Sequence, residues 1–324
     1  MDEEWEGRLN NSIAKGKSIT YQSFFDFLDL KGEKVIIFFN IIDGYKLKKY
    51  KKRKDIYLIF RPRGIIPEES YYKKGSKNRK RILEHIEYKV LKKTDYFIFI
   101  SENQKIHYLS KYQDLTNELN NNTIIPNLKP KIDYNLKSIN NSEVKLVYSG
   151  GFSKWQNIEL IFKTVSQIYK YSSLPIKFTI LTFEENFKHA HTLAKKNHLS
   201  EIVNVKYIEP LLLDEELFNH DIGIIIRDNN IINLASSPFK IFDYITNGLS
   251  LIVSDSLEPN VRDILNNKQY FVVNYNKYSL NYNIEDLLDY ISKFKNTDIK
   301  RSILGRYSDY YIESPKINFN DILI

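Results

Sequence analysis

The sequence predicts an α/β protein of two domains, each built on a mostly parallel sheet. Three observations lead there. Short runs rich in β-branched and aromatic residues alternate with stretches whose apolar residues recur at helical spacing, the pattern of βαβ units. One polar stretch, residues 129–143 (KPKIDYNLKSINNSE), reads as a linker and places a boundary near residue 140. At 324 residues the chain is long enough to bury a core on either side of it.

Residues 1–20 show no clear period, and 21–30 (YQSFFDFLDL) read as a short apolar helix. Residues 35–42 (VIIFFNII) are expected as a buried strand, ended by Asp43-Gly44 and followed by a basic helix. Residues 55–60 form the next expected strand and run into Arg61-Pro62-Arg63-Gly64, after which Pro67-Glu68-Glu69 opens a helix or loop. Residues 78–93 place Ile82, Ile86, Val90 and Leu91 at helical spacing. Residues 96–100 are a strand, Ser101-Glu102 a helix start, and 123–128 a short strand and turn.

The second half opens with a strand at 144–149. A helix follows over 158–171, with Leu160, Ile161, Val165 and Ile168 on one side. A strand at 177–181 leads to a helix through Ala194, and a strand at 203–208 to a short helix from Asp214. The central stretch is 221–255. Its apolar run 222–226 is short and β-branched enough for a buried parallel strand, and it ends at Arg227. An Asn-rich loop leads to Ser236-Ser237-Pro238, which reads as an N-cap with proline in the first helical turn. The helix carries Phe239, Phe242, Tyr244 and Ile245 and stops at Asn247-Gly248; a second buried strand, 249–253, completes a βαβ crossover. Residues 258–265 read as a helix, 270–273 as a strand and 283–312 as two helices.

Composition narrows the function. Hydrophobic content of 42% with 27% charged residues describes an ordinary soluble protein. The absence of cysteine excludes disulfides, thiolate catalysis and Cys-ligated metals. The N-terminus is acidic and polar, unlike a signal peptide, and no run approaches the ~20 apolar residues that span a bilayer, so a cytoplasmic location is expected. Net charge is +8 and uneven: seven of nine residues in 46–54 and six of nine in 73–81 are basic. Such runs serve either as solvated helix faces or as contacts for anionic lipid, phosphorylated substrates or nucleic acid. No nucleic-acid motif accompanies them, so nucleic acid is not the expected partner.

The candidate chemistry sits at the carboxyl end of the strand before Arg227, where ligands collect in open α/β sheets. Arg227 reaches from the strand end and Lys240 lies in the first helical turn, where a cation opposes the helix dipole unless an anion is shared between them. The alternative is a pair of solvated surface charges. No Asp-x-Asp triplet occurs, the six histidines show no ligand spacing, and no Ser/His/Asp arrangement stands out, so a metal site is not signalled.

Arg227, 237–244 (SPFKIFDY) and 247–252 (NGLSLI) together resemble the nucleotide-sugar signature P-x-K-x-x-E-Y-x-x-x-G-x-P-V-I of family 4 glycosyltransferases. Residues 147–155 (VYSGGFSKW) are similar to the first strand and glycine loop of the same domain in that family. The resemblance implies two Rossmann-like domains facing a cleft, the GT-B fold. The N-terminal domain, 1–140, would be reduced, because nothing before Val35 reads as its usual first strands and Gly150-Gly151 is the sole Gly-Gly pair. Residues 141–299 would bind the nucleotide sugar, and a final helix at about 300–324 would pack back on the first domain.

The resemblance also implies roles. Arg227 and Lys240 would stabilise the departing diphosphate as the catalytic pair. Gly150, Gly151, Lys154, Ser237, Pro238, Asp243 and Tyr244 would bind the donor. Asp243 stands where the family has the Glu that holds ribose hydroxyls, and the family's other acidic residue, eight positions earlier, falls on Ala235. Arg61-Pro62-Arg63-Gly64 with Pro67-Glu68-Glu69 is similar to an R-G-x-x-P-E-E segment in some polysaccharide-making members, which puts Arg63, Gly64, Glu68, Glu69 and, after the next strand, Glu102 on the acceptor side. The implied reaction is a metal-independent, retaining transfer of a hexosyl group. The donor is a UDP- or GDP-sugar and the acceptor a glycan or polyprenyl-linked glycan, in surface polysaccharide synthesis. No cofactor is implied, and the basic runs would hold the enzyme at the inner face of an anionic membrane. The alternative is a catalytically weak GT-B-like partner subunit.

Overall fold

The computed structural model describes residues 24–130, 132, 143–276, 279–293 and 297–314. The first half holds helix α1 (Phe24–Asp29), strand β1 (Lys34–Phe38), α2 (Ile41–Leu47), β2 (Ile56–Phe60), α3 (Ile66–Lys74) and α4 (Lys77–Leu91). β3 (Tyr96–Phe99), α5 (Glu102–Lys111), α6 (Thr116–Leu119) and β4 (Asn122–Ile124) complete it. The four strands pair in parallel in the order β1-β2-β3-β4. β1 ends four residues earlier than its apolar run suggests. The reason is a cap: Asn40 Oδ1 accepts the N–H groups of Ile42 (3.0 Å) and Asp43 (2.9 Å) and starts α2 there. Gly44 therefore lies inside a helix, packed so closely on Phe38 and Val90 that a side chain has no room.

The second half holds β5 (Val144–Ser149), α7 (Ile158–Tyr171), β6 (Ile176–Leu181), α8 (Phe187–Lys196), β7 (Val203–Lys206) and α9 (Leu213–Phe218). β8 (Ile222–Ile225), α10 (Ile231–Leu234), α11 (Phe239–Ile245) and β9 (Ser250–Ser254) follow. β10 (Tyr270–Asn276), β11 (Ser279–Asn281), α12 (Ile284–Ser292) and α13 (Thr297–Glu313) end it. The strand order is β11-β10-β9-β8-β5-β6-β7, parallel except for β11. The order reverses between β5 and β8, which makes their carboxyl ends the switch point of the sheet, where a crevice forms. The helix expected at 258–265 is instead a 3₁₀ turn, Asp255–Asn260, with Pro259 inside it.

Each half has its own core, and the halves exchange residues. Ala235, from the loop after α10, is buried in the first domain's core, with Ile232 packed beside it. Leu128, at the end of the first half, packs on the second domain's core. Ile303 and Tyr307 of α13 are buried in the core of the second domain, against the α11 side of its sheet. Tyr307 Oη binds the backbone of Lys129, accepting from its N–H and donating to its carbonyl. The rest of the segment expected to pack back on the first domain, residues 315–324, lies outside the described residues.

Candidate functional site

A cleft of about 510 Å³ opens between the halves at the carboxyl ends of β5 and β8. Arg227 follows β8 by two residues and lines it. Its backbone is fixed by β9, since its N–H donates to Ser254 Oγ at 2.9 Å. Its side-chain Nε is buried with no hydrogen-bond partner. Burial holds this guanidinium below its ordinary pKa.

Lys240 Nζ donates to Tyr148 Oη (3.1 Å) and Gln156 Oε1 (2.9 Å) and lies 4.5 Å from the centre of the Tyr148 ring. Both partners are neutral. Burial, together with the charge of Arg227, pushes the Lys240 amine well below the usual lysine range. Tyr148 passes the chain on, donating to the Gly151 carbonyl at 2.6 Å. Two of three ammonium donors are thus used, and one remains. Among the described residues no carboxylate forms an ion pair with Arg227 or Lys240. Two half-buried basic side chains without an ion-pair partner form a site short of negative charge.

The sequence-derived residues are distributed unevenly around this pair. Gly150 has φ +132°, and a Cβ there would lie 2.5 Å from Lys240 Nζ, so its bareness makes room for the lysine; Gly151 faces open space. Lys154 lies over the Tyr72 ring at 5.4 Å, across the cleft. Ser237 and Pro238 line the cleft, but Pro238 itself occupies the cap position of α11 and no side chain caps that helix. Ser237 is engaged elsewhere: its Oγ accepts the Asn127 N–H (3.2 Å) and its carbonyl the Asn127 amide (2.7 Å). Asp243 pairs with Lys129 at 2.9 Å, beside Asp214, and burial raises its pKa. Tyr244 is fully buried, its hydroxyl accepting the Ser149 N–H at 2.7 Å, which makes it a support for β5 rather than a wall of the cleft.

On the first-domain side Arg63, Gly64 and Glu69 line the cleft. Glu68 turns away, into ion pairs with Lys111 (2.9 Å) and Lys80 (3.6 Å), because the next residue along a helix points about 100° aside. Glu102 is 59% exposed and pairs with Lys105. Both depart from the expected acceptor side. The Ala235 position, where the family's acid would stand, is an interdomain contact whose carbonyl accepts from Ser101 Oγ at 3.1 Å.

Several residues that the sequence did not single out for the site also bear on the cleft. Arg61 donates to Asn127 Oδ1 at 3.0 Å; Tyr72 donates to Asp228 at 2.6 Å, and Asp228 also accepts from Asn157. Lys73, within the second basic run, lies 4.7 Å over the ring of Trp155. Tyr148 and Gln156 flank the glycine pair, and that position was the available signal for them. The cross-domain pairs left no local signal, because each joins residues more than 80 positions apart.

Two Rossmann-like domains meeting at such a cleft define the GT-B class of fold. The chain is similar to several solved glycosyltransferases of that fold. It matches a GtfA/B complex with a TM-score of 0.61 at 12% identity over 89% of this chain and 56% of that one. It matches a mutant of S. aureus TarM in complex with UDP and other ligands at 0.57 and 13%, over 89% and 53%. It matches WaaG, a glycosyltransferase involved in lipopolysaccharide biosynthesis, at 0.58 and 12%, over 83% and 76%. The chain thus spans about half the length of the first two. No family model matches the sequence, and no curated protein does. Among the described residues no helix is long and apolar enough to cross a membrane.

Proposed function

We propose that the protein is a glycosyltransferase that moves a hexosyl group from a UDP- or GDP-sugar to a glycan or lipid-linked glycan in surface polysaccharide synthesis. The observation that carries this is the pair of half-buried basic side chains without an ion-pair partner among the described residues, Arg227 and Lys240, at the sheet's switch point, with Arg227 Nε buried and unpartnered. Cleavage of a sugar diphosphate bond leaves negative charge on the β-phosphate. Fixed cations placed where that charge develops stabilise it more in the transition state than in the ground state. Arg227 offers its free donors and Lys240 its third, while Gly151 leaves open backbone beside them. These groups supply the charge compensation without a metal, and the transfer is taken to proceed with retention. Neighbouring folds bound to UDP support the donor class. Lys46, Lys49, Lys52 and Lys54 are exposed and would rest on an anionic membrane at the cytoplasmic face.

The test is thermal unfolding with UDP, GDP, ADP and their sugars, for wild type and Lys240→Ala. A ligand at 100 times its dissociation constant stabilises by about 2.7 kcal/mol, roughly 5–11 °C for a domain of this size. A shift with one nucleotide, lost in the variant, supports the donor site. No shift with any nucleotide would overturn it in favour of a non-catalytic partner subunit. EDTA and the anomeric configuration of the product, read by NMR, test metal independence and retention.

A further inference from the structure

The cleft has a side chamber of about 260 Å³. The two share Phe39, Arg63, Gly64 and Glu69, so a molecule in one abuts a molecule in the other. Their charges differ in sign. The main cleft sets Arg61, Arg63, Lys73 and Arg227 against Glu69 alone. The side chamber sets Asp43 and Glu69 against Arg63 alone.

Local structure fixes both carboxylates. Asp43 lies in the first turn of α2, where Asn40 accepts its N–H and donates its own amide to the Asp43 carboxylate. Glu69 lies in the first turn of α3. That turn is anchored from behind, because the preceding Glu68 is held by Lys80 and Lys111. The Glu69 carboxylate lies directly against Gly64, where a Cβ would displace it. Among the described residues it has no hydrogen bond or ion pair. Arg63 lies 4.8 Å over the Phe39 ring, a neutral aromatic partner, so the one cation of the chamber does not neutralise Glu69 by pairing with it.

We propose that Asp43 and Glu69 make the side chamber a charge filter. It admits a hydroxylated group that is neutral or carries an amine, and rejects one that carries phosphate or carboxylate. Carboxylates accept hydrogen bonds from hydroxyls and ammonium groups, whereas a second anion at the same place meets like charge and an unfilled acceptor. The inference rests on the glycosyltransferase reading, in which the occupant is the acceptor sugar. An anionic donor and an uncharged acceptor would then each find the compartment of matching sign.

The test uses the full chain without nucleotide and three probes below their micellar concentrations: octyl glucoside, octyl glucosaminide and octyl glucuronide. Binding is read by saturation-transfer NMR for wild type, Asp43→Asn, Glu69→Gln and the double variant. The glucuronide is expected to bind about tenfold more weakly than the other two, and the double variant to lose that preference. Equal or tighter glucuronide binding, no binding of any probe, or a preference that survives the double substitution would overturn the filter. Failure of the donor reading shows separately, as the absence of any nucleotide shift, and leaves these binding results intact.

Discussion

The amine of Lys240 occupies the space beside Gly150 that any other residue would need for its side chain: Nζ lies 2.5 Å from where a Cβ would stand. The glycine that follows β5 and the lysine of α11 are therefore one fitted pair. Gly150→Ala should displace the ammonium from Tyr148 and Gln156 and strain a backbone held at φ +132°. The expected result is a loss of about 1–3 kcal/mol together with loss of any nucleotide-induced shift, read from unfolding with and without nucleotide. A variant that keeps the full shift would contradict the pairing.

Arg227 carries a cost in the unliganded protein. It is half-buried, and its Nε is buried with no hydrogen-bond partner. Arg227→Met should raise unliganded stability by about 1–2 kcal/mol while abolishing nucleotide binding. Urea unfolding in the absence and presence of nucleotide measures both halves of this trade.

Lys129 leaves the first half of the chain and reaches Asp214 and Asp243 of the second, while its backbone is gripped by Tyr307. Lys129→Met would leave two carboxylates facing one another. These side chains are partly exposed, so solvent screens the loss, and about 1–2 kcal/mol is expected from urea midpoints. The deficit should shrink as the pH falls and Asp243, whose pKa burial already raises, takes up a proton.

Acid stability should depend on Glu68. Burial opposes its ionisation, but His107 and Lys111 beside it outweigh burial and hold its pKa at about 2, below the ordinary 4.5. A carboxylate with a depressed folded-state pKa stabilises fully above its unfolded value and loses that contribution as the pH falls through the folded one. Glu68→Gln should therefore destabilise at about pH 6 and be nearly neutral near pH 2, in urea titrations at both. Equal effects at both would contradict the ion-pair account.

Elements with a strong internal period were legible in the sequence. The helix Ile158–Tyr171 was bounded to the residue by its apolar stripe, and the strand, loop, helix and strand around Arg227 were placed within a residue or two. Misreadings arose where a single side chain overrode composition. Asn40 turned half of an apolar run into a helix, and Pro259 reduced a helix to a 3₁₀ turn. At the site, chain position located Arg227 and Lys240 but could not show that Lys240 faces Tyr148 and Gln156. Nor could it show that Glu68 and Glu69, adjacent in sequence, point to different surroundings. Those facts depend on contacts between distant residues, which period and spacing do not carry.

The exchange of Ala235 and Leu128 between the two cores bears on inheritance as much as on packing. The first half's core closes only with Ala235 of the second, and Leu128 of the first packs on one of the second's two cores, so a gene split between them would yield two proteins that each expose a surface shaped for the other. Fragments ending and beginning within 133–142 should find one another when made separately. A lineage could thus carry this fold as two subunits without inventing an interface, because the single chain already contains one.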